Sequence, residues 1–199
     1  MDPHDQLIAY LEKTVQLTDE QKQLVREKFR LRRYKKRAFI FNEGDVHDKN
    51  SFIISGALRL YAFDDNFKEY SLHFGFENWW TGDLISYVKN EPSQLCLQAM
   101  EDTVLLQINY KDQLEWLDAI PQLYKPWMLA YQGALMRANQ RILDNIGSTA
   151  EARYEDFLRS YPKYMNRLPD KFIASYIGVT PEFYSKLKRN SLRKYLKLD

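Results

Sequence analysis

Leu168-Pro-Asp-Lys-Phe-Ile-Ala-Ser-Tyr-Ile-Gly-Val-Thr-Pro-Glu-Phe-Tyr-Ser-Lys-Leu-Lys-Arg189 is the stretch on which the fold turns. Ile173 and Ile177 stand one helical turn apart and supply an inner face. Ala174 is small where a second helix must cross closely, and Gly178 can take the positive φ of a tight turn. Val179 plugs the angle between the two helices. Thr180 is an N-cap, and Pro181 occupies the first helical position, where a missing N–H costs nothing. Tyr184 and Leu187 face inward, leaving Glu182, Ser185, Lys186 and Arg189 on the outer face. The plain alternative is an αα-hairpin. Small residue, glycine, plug, cap and basic face at the required offsets favour a helix-turn-helix whose second helix enters a major groove.

Upstream, Gly147-Ser-Thr149 interrupts the pattern and marks a domain boundary, with Thr149 capping a helix from Glu151. Before it, Met128, Tyr131, Leu135, Ala138, Ile142 and Asn145 recur at alternating spacings of three and four, an a/d seam. Such a seam packs either on its own domain or on a second copy of the chain. Between residues 38 and 110 lie short β-rich runs: Ala38-Phe-Ile-Phe41, Ser51-Phe-Ile-Ile54, Ala57 to Phe63, Tyr70 to Phe74, Leu95 to Gln98 and Thr103 to Ile108. Turn signals separate them, which indicates a sandwich or barrel. Residues 5 to 30 carry helical periodicity, and Thr18-Asp-Glu-Gln21 has the spacing of a capping box.

The 199 residues carry 29 lysines and arginines against 27 acids, a net charge of only +2. Dividing the chain at residue 150 resolves that figure into −3 before it and +5 after it, so a mildly acidic body bears a basic C-terminal piece. A second basic run, Arg26 to Arg37, reads as the solvated exit of the second helix into the barrel, or as an extension of a DNA track. The single cysteine, Cys96, excludes an intrachain disulfide framework and fits a reducing compartment. The first five residues lack the regions of a signal peptide and no stretch is long and apolar enough to span a membrane, so a cytoplasmic location is expected.

The 173–187 pattern and Glu182-Phe-Tyr-Ser185-Lys186 resemble the helix-turn-helix and the E-x-x-S-R reading motif of the Crp/Fnr family of bacterial transcription regulators. The resemblance extends to the N-terminal part, whose Phe41-x-Glu-Gly-Asp45, Phe52-Ile-x-Ser-Gly56-x-Leu-Arg-Leu-Tyr61 and Gly82-Asp-Leu84 are similar to that family's cyclic-nucleotide-binding barrel, with glycines 44, 56 and 82 at its corners. It implies an α+β chain: a jelly-roll-like double-stranded β-helix barrel with N-terminal helices (1–123), a dimerisation helix (124–147) and a helix-turn-helix domain (148–199). The family's β-wing is expected to be truncated, since 190–199 is too short for two strands.

By the same resemblance Thr180, Glu182, Ser185, Lys186, Lys188 and Arg189 are the DNA-contacting set. Glu182 would accept from a cytosine amino group or orient a neighbour. Lys186 stands where the family usually reads guanine with arginine, and lysine lacks arginine's planar fork. Lys188, Arg189, Arg193, Lys194 and Lys197 are expected on phosphates, and Ser185 could serve either role.

The effector pocket implied by the resemblance comprises Gly82, Asp83, Leu84, Ser93 and Gln94. The family's cassette pairs a carboxylate on the ribose with an arginine on the cyclic phosphate. Asp83 matches the first with a shortened carboxylate, whereas Pro92 to Ala99 contains no basic residue; Lys89 is the nearest upstream cation. An enclosed anion without its cation carries an uncompensated desolvation cost, so tight binding of cyclic AMP is not expected. Phe74, Phe76, Trp79 and Trp80 either line a pocket for a flatter ligand or form core and rim.

Enzyme chemistry has little support. His4, His47 and His73 show no metal-ligand spacing, Cys96 sits in an apolar run, and no phosphate loop or nucleophile elbow is present. An iron-sulfur sensor of the Fnr type would need several cysteines. The expectation is a homodimeric regulator whose partners are double-stranded DNA, a second copy and, by resemblance, RNA polymerase and a small effector of unknown identity. The rival is a sensory or interaction module without sequence-specific readout.

Overall fold

The computed structural model describes residues 2–196, with side chains as far as Ser191. Two compact units divide it, one formed by residues 1–62 and 73–132, the other by 63–72 and 133–199.

In the first unit, α1 (Pro3–Leu11) and α2 (Asp19–Lys28) precede β1 (Arg30–Tyr34), β2 (Phe39–Phe41), β3 (Lys49–Ser55), β4 (Leu58–Phe63), β5 (Glu69–Gly75), β6 (Trp80–Thr81), α3 (Leu84–Lys89), β7 (Cys96–Ala99), β8 (Thr103–Asn109) and α4 (Tyr110–Ala119). The last residue of β4 and the first four of β5 belong to the second unit, and α5 (Tyr124–Gly147) runs through the 132/133 division. Two four-stranded sheets, β1-β8-β3-β6 and β2-β7-β4-β5, form the barrel. The capping box at Thr18 forms: its hydroxyl accepts the Gln21 N–H, and the Gln21 side chain accepts the Thr18 N–H.

Alternation along the strands explains two cores. Ile53 and Leu105 point between the sheets, where they meet Phe41, Leu58, Leu60, Leu97 and Ala99. Phe52, Ile54, Leu106 and Ile108 point the other way, against Leu7, Ile8, Leu11, Val25 and Phe29 of the N-terminal helices and Trp116 and Leu117 of α4. Because one sheet is buried on both faces, β3 is buried without alternation from Asn50 to Ile54, with Phe52, Ile53 and Ile54 consecutive. Phe74 and Phe76 are fully buried, and Trp80 lies against Phe52 (5.1 Å) and Trp127 (4.6 Å), so these aromatics are core rather than the wall of an open pocket.

The basic run leads from the second helix into the barrel: α2 ends at Lys28, and Arg30 to Tyr34 is β1, paired antiparallel to β8 from Arg30↔Gln107 to Tyr34↔Thr103. Arg30, Arg32 and Arg33 are exposed, and a charged strand at the edge of a sheet resists pairing with other chains. Gly56 is required where it stands: its φ is +100°, and a Cβ there would lie 2.8 Å from the Asp102 carbonyl oxygen and from Thr103 Cα.

In the second unit, α6 (Ala150–Ser160), α7 (Asp170–Ile177) and α8 (Pro181–Leu196) pack through Tyr154, Phe157, Tyr161, Leu168, Ile173, Ala174, Ile177, Tyr184 and Leu187, all buried. Thr149 caps α6 by accepting the Ala152 N–H, so that helix begins at Ala150, one residue before the expected start.

Candidate nucleic-acid interface and effector cassette

The turn between α7 and α8 follows from its residues. Gly178 adopts φ +79°, where an L side chain would be strained, and the N–H groups of Gly178 and Val179 both donate to the Ala174 carbonyl at 3.0 Å. Thr180 Oγ1 accepts the Phe183 N–H at 3.2 Å, capping α8. Ile173, Ala174 and Ile177 on α7 and Tyr184 and Leu187 on α8 are buried, as the spacing requires. Burial raises the Tyr184 hydroxyl pKa, and its ring meets Tyr154 edge-on at 5.6 Å.

Thr180, Glu182, Ser185, Lys186, Lys188 and Arg189 are all exposed on α8 and at its cap. Besides the capping Thr180, three of them already have local partners. Hydrogen bonds from its own backbone N–H and from the Thr180 hydroxyl hold the Glu182 carboxyl below the usual range, so it lies back over the positive end of its helix. Ser185 donates to the Pro181 carbonyl at 2.9 Å. Lys188 pairs with Asp170 at 3.1 Å, tying α8 to α7, so its charge is partly spent within the motif, a role the spacing did not reveal. The Arg193 and Lys194 side chains and all of Lys197 lie outside the described residues.

The cassette residues are differently disposed. Asp83 is buried and caps α3: its carboxylate accepts the Ile85 N–H at 2.9 Å and the Ser93 hydroxyl at 2.7 Å. Ser93 also accepts the Leu95 N–H at 3.0 Å. Asp83 and Ser93 are therefore brought together, with each other as partners. Leu84, Gln94 and Lys89 are exposed, and a Cβ at Gly82 would come within 3.2 Å of the Lys49 carbonyl oxygen.

Two buried residues near this segment were not singled out by their motifs. The His47 ring stacks on Phe41 (4.3 Å), its backbone N–H donates to Ser86 Oγ, and burial lowers the imidazole pKa to about 4. Arg59 is buried on β4 over the Tyr61 ring at 4.2 Å. Alternation places Arg59 on the face opposite Leu58 and Leu60, away from the core between the sheets.

On α5 an exposed apolar stripe includes Met128, Leu135 and Ile142 of the expected seam. Met128, Leu129, Leu135, Met136, Ile142, Leu143 and Ile146 are each more than half exposed. The first six form three adjacent pairs repeating every seven residues, so the stripe keeps one side of the helix. Ala138 is exposed at its margin. Tyr131 is not part of it: its ring packs on Trp127 at 5.8 Å in the first unit and is half-buried.

Residues 31–119 match the cyclic nucleotide-binding domain family. The chain is 27% identical over 164 residues to the transcriptional activator protein Anr of Pseudomonas protegens, covering 82% of this chain but 63% of that protein, less than two thirds of its length. The structure superimposes on the c-di-GMP responsive global regulator CLP of Xanthomonas campestris with a TM-score of 0.69 at 16% identity, covering 90% of this chain and 94% of that one. A Eubacterium rectale protein described as a transcriptional regulator of the Crp/Fnr family superimposes with a TM-score of 0.66 at 19% identity, over 89% and 85% of the two chains. No helix among the described residues is long and apolar enough to cross a membrane. Residues 31–119 are thus similar to the cyclic nucleotide-binding domain family, and the chain carries the fold seen in solved structures of Crp/Fnr transcription regulators.

Proposed function

We propose that the protein is a cytoplasmic, homodimeric DNA-binding transcription regulator in which α8 reads the major groove. One observation carries this reading: α8 buries Tyr184 and Leu187 while presenting Glu182, Ser185, Lys186 and Arg189 to solvent at the end of a glycine-turned helix pair. Glu182 leaves its cap to accept from a base, Lys186 donates to a base edge, and Arg189 with the basic residues beyond it neutralises phosphates. The local bonds of Glu182 and Ser185 are solvent-exposed and yield to DNA. The exposed stripe on α5 pairs two copies and sets their recognition helices about 34 Å apart, one turn of duplex.

The barrel serves a sensory role without cyclic AMP. Asp83 is already committed to capping α3 and to Ser93, and Arg59 lies on the opposite face of its strand from the inter-sheet core. Any effector is a different molecule. Calorimetric titration with cyclic AMP should give no binding in the micromolar range.

The test of DNA readout is binding to fragmented genomic DNA, with recovered sites used in mobility shift. Glu182→Ala and Lys186→Ala should abolish preference for those sites while leaving weak, salt-sensitive binding. Equal binding to every sequence by the parent and both variants would overturn the reading in favour of nonspecific contact.

A further inference from the structure

The second unit contains a cleft of about 310 Å³ that none of the DNA-reading residues touches. Its walls include Arg141 and Asn145 of α5, Arg153 of α6, Ser175 and Tyr176 of α7, and Tyr70 of β5. Two arginines therefore share one concavity, and no aspartate or glutamate among the described residues lines it.

Among the described residues, the hydrogen bonds of both arginines go to backbone carbonyls. Arg141 donates through Nη2 to Ser71 O (2.7 Å) and Tyr176 O (3.3 Å), and through Nη1 to Leu72 O. Its guanidinium lies 4.1 Å from the centre of the Tyr176 ring, and its buried Nε has no hydrogen-bond partner among the described residues. Burial lowers its pKa, the mark of a charge poorly compensated by its surroundings. Arg153 donates through Nε to Ile177 O (2.8 Å) and through Nη1 to Ser148 O (2.6 Å). Neither guanidinium meets a carboxylate among the described residues. Asp64 bonds the hydroxyl of the cleft-wall residue Tyr70 at 3.1 Å.

A guanidinium offers five N–H donors, so the carbonyls leave donors on both arginines, Nη2 of Arg153 among them. Carbonyl dipoles orient these groups without cancelling their charge. A partly buried pair of like charges is stabilised most by an anion, and the arginine fork matches carboxylate and phosphate oxygens. The cleft is at the small end of ligand sites, and Tyr70 and Tyr176 give it aromatic walls.

We propose that this cleft, formed by Arg141, Arg153 and Asn145, binds a small diffusible oxyanion, a phosphate or a carboxylate, separately from both the barrel and the DNA-reading face. The inference does not depend on α8 reading DNA. Occupancy would bridge α5 and α6 through their arginines and, through the carbonyls these hold, stiffen the end of α7 and the β5 backbone.

The test is calorimetric titration of the full chain, without DNA, with inorganic phosphate and separately with acetate. Saturable binding in the millimolar range is expected for at least one probe, and the probe that binds identifies the ligand class. Arg153→Gln should weaken it about tenfold or more, the usual effect of losing a charge-assisted hydrogen bond. Arg153→Gln also removes two internal hydrogen bonds, so Asn145→Asp is the second variant: it places a carboxylate beside the arginines from an exposed helical position and should weaken binding at least as much with helix content unchanged. No saturable binding of either probe, or equal binding by the parent and Asn145→Asp, would overturn the proposal. Loss of DNA affinity in Asn145→Asp without any loss of phosphate or acetate binding would also overturn it, assigning the arginines to the duplex backbone.

Discussion

Ser175 is built into the backbone of the strand that contains Ser71: its Oγ accepts the Ser71 N–H at 2.9 Å and donates to the Glu69 carbonyl at 2.7 Å. A side chain of the first helix of the motif thus does what a neighbouring strand would do. Residues 69–72 consequently group with the helices that follow Gly133 rather than with the rest of β5.

Replacing Ser175 with alanine leaves that N–H and that carbonyl without their partner. The expected cost is about 1–3 kcal/mol, appearing as at least about fivefold faster hydrogen exchange of the Ser71 amide. Unchanged exchange in Ser175→Ala would show that the contact contributes nothing to local stability.

Two glycines with positive φ should differ when given a side chain. At Gly178 nothing lies within 4 Å of an added Cβ, so Gly178→Ala carries only the backbone strain, about 1–2 kcal/mol. At Gly56 the Cβ also collides with backbone 2.8 Å away, and about 2–5 kcal/mol is expected. Denaturant titration of both variants checks the order; a larger loss at Gly178 would contradict the packing described at Gly56.

His47 makes the barrel acid-sensitive. Its pKa falls from 6.5 to about 4 on folding, so the unfolded chain takes up a proton across a range in which the folded chain does not. Stability should be complete above pH 6.5 and decline as the pH falls towards 4, by roughly 2 kcal/mol between pH 7 and pH 5 from this residue alone. Comparison with His47→Phe over that window isolates the contribution. Parallel pH profiles for the two proteins would show that His47 is accessible to protons in the folded state.

The exposed stripe on α5 makes the dimer prediction specific. Leu135→Asp combined with Ile142→Asp should give monomers in sedimentation velocity, as should Met136→Asp with Leu143→Asp. Tyr131→Phe should leave the assembly intact, because that ring packs within its own unit. An intact dimer in both double aspartate variants would remove α5 as the interface.

Local chemistry made much of this molecule legible. The turn at Gly178, the caps at Thr18, Thr149 and Thr180, and the inward Tyr184 and Leu187 depend on contacts within a few residues, and those appear directly in spacing. The strand runs were legible for the same reason, except where a strand was short or basic. β6 has two residues, and β1 carries three arginines that only an edge position tolerates.

The sequence by itself determined most of the elements and the glycine-turned helix pair with its exposed polar face, because each follows from periodicity and capping along a continuous piece of chain. Only the tertiary structure decided that Asp83 caps a helix with Ser93 as its partner, that Lys188 is held by Asp170, that Tyr131 faces its own unit, and that Arg141 and Arg153 share a cleft. Those outcomes join residues distant along the chain, or depend on which side of a helix meets a neighbour, and the energies that choose among such partners arise only once burial has removed the competing water.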